Sequence, residues 1–497
     1  MPGSWVVVQN AEEVDSALEL ESTRSGTLSY LAVSAAAYFA FGERGVSCRG
    51  THEFASREST NQVASRIFDE VRDLILALDD TVHERLPDMP KGFKPFEAFE
   101  HEYNKLVASA SFAQMELIEF IREESPRELL YWDSSQELGH RARQTITSKL
   151  LDQPEWWAAL GVETKRIPGL SSAPAPVGSR SWRSRLREFL NPNRTDGVTF
   201  LGWSLSPALF RGERPRLLVV GRSDNLISFA KYAIATHSAQ VDWWGHEPYA
   251  PVHMPTMSRI KLNGASNGAA VELGVLEDAI VQSNTDPSWS RDLDLQPVGA
   301  ILKKRLLDFS KRVPRLLTTY GKSMEYFRSR RPAAVICGTA DADLVQVVRQ
   351  AAQADGIPMA SFQHGGAYGY MHSEWMKLSD LRTDLYVGYG TDGCAYLEGT
   401  AKNSGLPAKT VGIGWTRGAT AAQTSTKPAI VRQVERRTIM YVPTGLGGET
   451  RYGPDHGYHD TEYCLEQVRV IEALRRVPDA VVIVKLHPKD GAPNPIE

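Results

Sequence analysis

Three apolar segments of the chain are followed by polar residues suited to catalysis. QHGG (363–366) follows PMASF, PTG (443–445) follows TIMYV, and KLHP (485–488) follows AVVIV. In open α/β sheets, ligands bind at the carboxyl ends of the strands, so residues in these places are the first candidates for a site. Their histidine, lysine, threonine and glycine residues predict a site for hydroxyl and phosphate groups.

His364 is the first candidate for proton transfer. An imidazole has an ordinary pKa near 6.5, so a histidine at a strand end can take a proton from a sugar hydroxyl near neutral pH. Gly365 and Gly366 follow it, would let a substrate approach the backbone closely, and are predicted to take part in binding the donor phosphate. The sequence leaves a second interpretation open, in which this histidine only caps a turn or a helix.

The other two segments predict phosphate binding. His487 ends an apolar strand and precedes a proline, and Lys485 lies two residues earlier, so both side chains are expected on one side of the strand. Thr444, Gly445 and Gly447 belong to a turn whose hydroxyl and backbone N–H groups can face a phosphate. That turn matches neither GxGxxG nor the P-loop, and the His–Lys pair can also be an ordinary polar strand end.

Three aspartates have two interpretations each. Asp341 and Asp343 resemble a DxD metal motif, but they lie where a helix is expected to begin, and the helix dipole favours acidic residues there. The structural interpretation is preferred, so no metal site is predicted. Asp224 is either a helix N-cap or a carboxylate on the acceptor side of the site.

The composition excludes several classes of protein. The 497 residues contain 56 Lys+Arg, 60 Asp+Glu and four cysteines without CxxC spacing. No zinc site, disulfide framework or nucleic-acid-binding stripe is indicated. The N-terminus lacks the basic start and long apolar run of a signal peptide. We therefore expect a cytoplasmic protein of about three folding units.

The order of apolar and amphipathic segments predicts an α/β fold with Rossmann-like parallel sheets. Residues 1–55 are expected to begin an N-terminal α/β domain. Residues 56–200 are expected to form a large helical insertion and a linker, the linker containing the basic cluster of 180–187. Residues 201–418 are expected to complete the N-terminal domain, and residues 428–497 to begin a C-terminal one.

Taken together, the three motifs carry a family resemblance. Strand-QHGG, strand-PTG and strand-KLHP in this order resemble the GT-B superfamily of bacterial cell-surface polymer transferases. The chain is similar to the CDP-glycerol glycerophosphotransferases of teichoic acid synthesis and to capsule, sialyl- and Kdo-transferases. The resemblance implies that His364 is the catalytic base, that His487 contacts the donor phosphate, and that Pro443-Thr444 opens the donor domain. It covers about the last third of the chain.

Two departures from that family affect the expectation. The glycerophosphotransferases have an aromatic residue and an arginine after PT, whereas this sequence has Gly445-Leu446-Gly447. The sequence given ends at Glu497, where the family continues through several more βα units. The donor domain is therefore expected to be incomplete, and the chain inactive if it is truncated.

The resemblance implies a transferase that moves a sugar or a polyol phosphate from a nucleotide-sugar or CDP-polyol donor. The acceptor would be a polysaccharide, a lipid-linked chain or a teichoic-acid-like polymer at the inner face of the membrane, with peripheral membrane association. The nucleotide-activated donor is a substrate, so no cofactor is expected. Two alternatives stay open: a nucleotide-sugar epimerase of the same fold, and a non-catalytic component of a polysaccharide assembly complex.

Overall fold

A computed structural model describes most of the chain. The described residues are 3–24, 26–54, 57–132, 142–168, 214–221, 224–236, 238–244, 258–259, 273–282, 296–363, 374–414, 437–443 and 459–486.

The first unit is a five-stranded parallel sheet. Its strands are β1 (Ser4–Val8), β2 (Leu28–Ala32), β3 (Arg49–Gly50), β4 (Glu128–Tyr131) and β5 (Glu163–Arg166). They are ordered β3-β2-β1-β4-β5. The central strand β1 is almost entirely buried because helices cover both faces of a parallel sheet. Ser34 begins the helix Ala35–Glu43 (α2) by accepting a hydrogen bond from the backbone N–H of Ala37, as expected of an N-cap.

In the described part of this unit, six helices accompany the sheet. They are α1 (Ala11–Thr23), α2 (Ala35–Glu43), α3 (Arg57–Arg85), α4 (Glu100–Glu124), α5 (Ala142–Leu151) and α6 (Pro154–Ala159). The long helices α3 and α4 contact each other. One buried cluster contains Val7 of β1, Phe99 beside α4 and Leu218 of the second sheet. The core of the protein therefore continues from one sheet to the other through these helices.

The segment 56–200 differs from the helical insertion that the sequence predicted. It supplies β4, which pairs with β1, and β5, which pairs with β4. β4 is only four residues long and directly follows a long helix, while β5 has the sequence ETKR and is mostly exposed at the sheet edge. The polar β5 lacks the apolar signal from which strands are inferred, and the short apolar run of β4 is hard to distinguish from the helical pattern that precedes it.

The second unit is a seven-stranded parallel sheet. Its strands are β6 (Arg216–Val220), β7 (Gln240–Trp244), β8 (Ser258–Arg259), β9 (Ala334–Cys337), β10 (Met359–Phe362), β11 (Leu385–Gly388) and β12 (Lys409–Gly412). Their order is β12-β11-β10-β9-β6-β7-β8. Residues 1–55 and 201–418 were predicted to form one domain, but their strands lie in two separate sheets. This division could not be predicted, because periodicity identifies strands without identifying their pairing partners.

Among the described residues, the chain segment that supplies the second sheet has seven helices. They are α7 (Asp224–Ala235), α8 (Leu273–Gln282), α9 (Gln296–Ser310), α10 (Val313–Arg330), α11 (Asp343–Ala354), α12 (Glu374–Leu378) and α13 (Thr391–Asn403). Among the helices of the described residues, none has the length and apolar character needed to cross a membrane.

The third unit is small. β13 (Arg437–Tyr441) and β14 (Ala480–Val484) pair in parallel, and α14 (Asp460–Arg475) connects them in sequence. Cys464 of α14 is buried against Ala35 of α2, so the third unit packs on the first. All three sheets are parallel and flanked by helices, which confirms the predicted α/β, Rossmann-like fold.

Candidate functional site

The second sheet has a topological switch point between β6 and β9. From β6 the chain moves outward to β7 and β8, whereas from β9 it moves in the opposite direction to β10, β11 and β12. The connections after β6 and β9 therefore diverge and leave a crevice at the carboxyl ends of these strands. Ligands of open α/β sheets bind in such crevices, so this edge is the candidate functional site.

A buried hydrogen-bond network spans this edge. Asn225, in the first turn of α7, donates from Nδ2 to the backbone oxygen of Gln363 and to the hydroxyl of Tyr389, both at 2.8 Å. Gln363 Oε1 in turn accepts from the backbone N–H of Tyr389 at 2.8 Å. The network joins the ends of β6, β10 and β11. Gln363 directly precedes His364 in the sequence, so the backbone entering the QHGG motif is fixed from three elements.

Two glycines are required by the geometry of this edge. Gly221 follows β6 with φ of 89°, a left-handed conformation that other residues rarely adopt. Gly388 ends β11, where an added Cβ would collide with Cys394 Sγ and lie 3.2 Å from Gln363 Oε1. The glycine at 388 thus leaves room for the Gln363 amide that organises the network.

The connection after β9 is held by a buried carboxylate. Asp380 Oδ1 accepts from the backbone N–H of Ala340 at 3.1 Å, and the side-chain amide of Gln346 donates to the Ala340 carbonyl. Burial raises the pKa of Asp380 to about 7, although hydrogen bonds from Ala340 and Ser361 oppose the shift. Burial therefore keeps the Asp380 carboxyl protonated to a higher pH than an exposed aspartate.

A buried ion-pair network attaches the helical pair of the first unit to the second sheet. Arg382 binds Glu97 at 3.0 Å and Glu100 at 2.7 Å, and Arg349 binds Glu97 at 2.6 Å. Burial alone would raise the pKa of Glu97, but the two guanidinium groups hold it below its ordinary value. Lys94 also lies 3.7 Å from Glu97, so three positive groups surround the two carboxylates.

Most of the predicted site residues lie outside the part of the chain that the structure describes. They are His364, Gly365, Gly366, Thr444, Gly445, Gly447 and His487. Asp224 is the first residue of α7, and its side chain also lies outside the described part.

Lys485 follows β14 and is exposed, and its backbone N–H donates to the Tyr441 carbonyl at 2.9 Å. In the register of the third sheet, Tyr441 is opposite Val484. The polypeptide segments that enter the PTG and KLHP motifs therefore leave the sheet side by side. The parallel pairing of β13 and β14 brings these two predicted motifs to one edge.

Asp343, the second aspartate of the DxD pattern, has a structural role at the start of α11. Asp343 is the first residue of that helix and forms an ion pair with Arg312. This agrees with the helix-dipole interpretation. Within the described residues, no cluster of three or more His, Cys, Asp or Glu side chains has a geometry suited to a metal ion.

Sequence reasoning missed Asn225, Tyr389 and Asp380. Asn225 and Tyr389 follow apolar strands, which is the same signal that singled out His364, but their pairing depends on strand order. Asp380 lies in the polar sequence SDLRTD, which resembles a surface loop and gave no sign of burial.

A scan of protein-family models finds none that matches the chain, and a search of curated proteins finds no matching relative.

Proposed function

We propose that the protein is a GT-B-like glycosyltransferase or glycerophosphotransferase. It would move a sugar or a polyol phosphate from a nucleotide-activated donor to a cell-surface polysaccharide or teichoic-acid-like acceptor at the inner face of the membrane. The proposal follows from the resemblance of the three motifs. The observation that carries it is the network at the switch point, in which Asn225 and Tyr389 fix Gln363 immediately before the QHGG motif.

In this proposal His364 is the general base. It removes the proton of the acceptor hydroxyl as that oxygen attacks the donor carbon or phosphorus. A base must be held in one geometry to act efficiently, because small displacements cost large factors in rate. The hydrogen bonds that fix Gln363 support this role, since they restrain the backbone at the residue before the base.

The donor phosphate is assigned to the third unit. His487, Lys485 and the turn at 443–448 would stabilise the negative charge that develops on the departing nucleotide. The backbone segments after β13 and β14 leave the sheet next to each other, which supports this assignment. No cofactor takes part, because the activated donor supplies the leaving group.

The proposal is tested by nucleotide binding and by single-turnover transfer. We expect the purified chain to be stabilised against thermal unfolding by one of CMP, CDP, UDP and GDP, and we expect His487→Ala to lose that stabilisation. The responding nucleotide then identifies the donor class for transfer assays with polymer acceptors. His364→Ala should lower the single-turnover rate by about 100-fold or more while nucleotide binding is retained.

Three outcomes would contradict the proposal. Unchanged transfer by His364→Ala would remove the assigned base. Conversion of the donor without any acceptor would indicate an epimerase, because a transferase releases free nucleotide only when an acceptor is present. Failure of every nucleotide to stabilise the chain would instead favour a non-catalytic component of an assembly complex.

A further inference from the structure

Helix α14 is capped by a side chain that can change its charge near neutral pH. His459 precedes the helix, and its Nδ1 atom accepts a hydrogen bond from the backbone N–H of Thr461. Glu462 completes a capping box by accepting from the backbone N–H of His459 at 3.3 Å. Serine, threonine, aspartate and asparagine are the usual N-cap residues. A histidine can take this place only while its ring is neutral, because both ring nitrogens of the cation are donors.

The same ring joins the third unit to the first. In the neutral ring that caps α14, Nε2 carries the hydrogen and donates to Thr51 Oγ1 at 3.0 Å. Thr51 directly follows β3 of the first sheet, and both residues are buried. Cys464 of α14 is buried against Ala35 of α2 in the same interface. One imidazole therefore caps a helix of the third unit and bonds the first unit at the same time.

A second imidazole lies beside the first. The ring centroids of His52 and His459 are 5.5 Å apart, and the ring of Tyr38 lies against the other ring of the pair, with its centroid 5.3 Å from that of His52. Gly50 gives His52 its room, because an added Cβ at that position would collide with the imidazole. Two imidazolium charges at this separation would repel each other. The packing therefore favours a neutral ring at His459.

Carboxylates also surround this interface. Glu116 of α4 lies with Oε2 at 3.8 Å from His459 Nε2, so it favours a charged ring. Glu53 is bound by Arg49 at 2.5 Å and by the backbone N–H of Gly50 at 2.6 Å. Within the described residues, the titratable and charged side chains around the two rings come from α2, from the segment after β3, from α4 and from the first turn of α14. They are Tyr38, Arg49, His52, Glu53, Glu116, Asp460 and Glu462.

The effects that oppose a charged ring at His459 outweigh the one that favours it. Protonation of Nδ1 removes the acceptor for the Thr461 N–H and points one donor at another. The helix dipole disfavours a positive charge at the N-terminus of α14. His459 is also only 8% exposed, and burial disfavours the charged form. The contact with Glu116 is longer than a hydrogen bond, so it offsets only part of these costs.

We propose that His459 is a pH-sensitive latch between the third unit and the first. Acidification protonates the ring, removes the cap of α14 and weakens the packing of that helix on α2. The docked third unit binds fewer protons at this ring than the released unit, so docking is strongest above the ordinary pKa of imidazole, near 6.5, and weakens as the pH falls below it. The latch concerns the packing of the units and does not depend on the proposed transferase function.

Hydrogen exchange at about pH 7.5 and about pH 5.5, corrected for the intrinsic exchange rate, tests the latch. In the wild type, the protection factors of the amides in the first turn of α14 should fall about tenfold on acidification, which is the size of a lost helix cap. His459→Asn keeps an N-cap acceptor that does not titrate, so its protection factors should be equal at the two pH values. The amides of α10 serve as the internal reference and should not change in either protein.

A second variant tests the latch without changing His459. Glu116→Gln removes the carboxylate that favours the charged ring, so the fall in protection on acidification should be larger than in the wild type. Glu466→Gln changes an exposed carboxylate of α14 and should behave like the wild type. Constant protection of α14 in the wild type would overturn the proposal, and so would an equal fall in His459→Asn. Increased protection on acidification would also overturn it, because it would show that the charged ring and Glu116 hold the units together.

Discussion

Asn225 Nδ2 lies 2.8 Å from the backbone oxygen of Gln363, and this bond passes over β9, which separates β6 from β10 in the sheet. The same amide donates to the hydroxyl of Tyr389 beyond β11. Both hydrogens of the Asn225 amide are therefore used. One side chain at the start of α7 holds the ends of three strands at the edge where the QHGG motif begins.

Removing this side chain should destabilise the protein. We expect Asn225→Ala to lower the free energy of unfolding by about 1–3 kcal/mol, because it leaves a buried carbonyl oxygen without this donor. Tyr389→Phe removes one hydroxyl and keeps the ring, so its cost should be about 1 kcal/mol or less. Urea denaturation measures both values. Equal effects of the two substitutions would mean that the bond to Gln363 contributes little.

The ion-pair network beside α4 should be more sensitive still. Arg382→Met leaves Glu100, whose side chain is 1% exposed, without its bound guanidinium, and we expect a loss of about 3–5 kcal/mol. Arg24→Met is the matched control, because Arg24 is 38% exposed and its partner Glu128 also binds Lys165. Its cost should be about 1 kcal/mol or less. If the double variant Arg382→Met, Glu100→Gln recovers the free energy of unfolding, the loss in Arg382→Met comes from the unpaired Glu100 carboxylate.

The sequence predicted the strands that are both apolar and bounded by turns. β1 and β10 have this pattern, so their existence and the α/β class could be inferred. β5 could not, because its sequence ETKR is polar and its place in the sheet comes from pairing with β4. The division into two sheets could not be predicted from the sequence either. It depends on strand pairing and on the packing of the helices α3 and α4 between the sheets.

Part of the candidate site could also be predicted, because it follows apolar strands. Strand ends identified 363–366 and 485–488, because polar residues after apolar runs are a local signal. The pairing of Asn225 with Gln363 joins residues 138 positions apart and depends on the strand order. The buried network of Glu97 and Arg382 was also missed, since charged residues in a helical pattern are typical of a solvated surface.

His459 should stabilise the packing of the third unit on the first. Its Nδ1 accepts from the backbone N–H of Thr461, so Nε2 carries the hydrogen in the neutral ring and donates to Thr51 Oγ1 at 3.0 Å. We expect His459→Ala to speed hydrogen exchange of the backbone amides at the start of α14, because both bonds are lost. Arg469→Ala changes an exposed residue of the same helix and should leave that exchange unaltered. Equal exchange in the two variants would contradict this role.

Asp380 should make the stability of the protein depend on pH. Its pKa is raised from 3.8 to about 7 in the folded state by burial, so the folded protein keeps a proton that the unfolded chain releases. Between these two values the unfolded state binds fewer protons, and the stability contributed by this group falls as the pH rises from about 4 to about 7. Above the folded pKa the contribution levels off.

Asp380→Asn isolates this effect, because the amide stays neutral and its oxygen can still accept from the backbone N–H of Ala340. The free energy of unfolding of the variant minus that of the wild type should increase by a few kcal/mol from pH 4 to pH 7 and then stay constant. Burial lowers the pKa of His101 far below its ordinary value, which makes stability fall on acidification, but His101 is common to both proteins and cancels in the difference. A difference that is independent of pH would mean that Asp380 is ionised throughout this range, and a difference that decreases would reverse the assigned direction of its pKa shift.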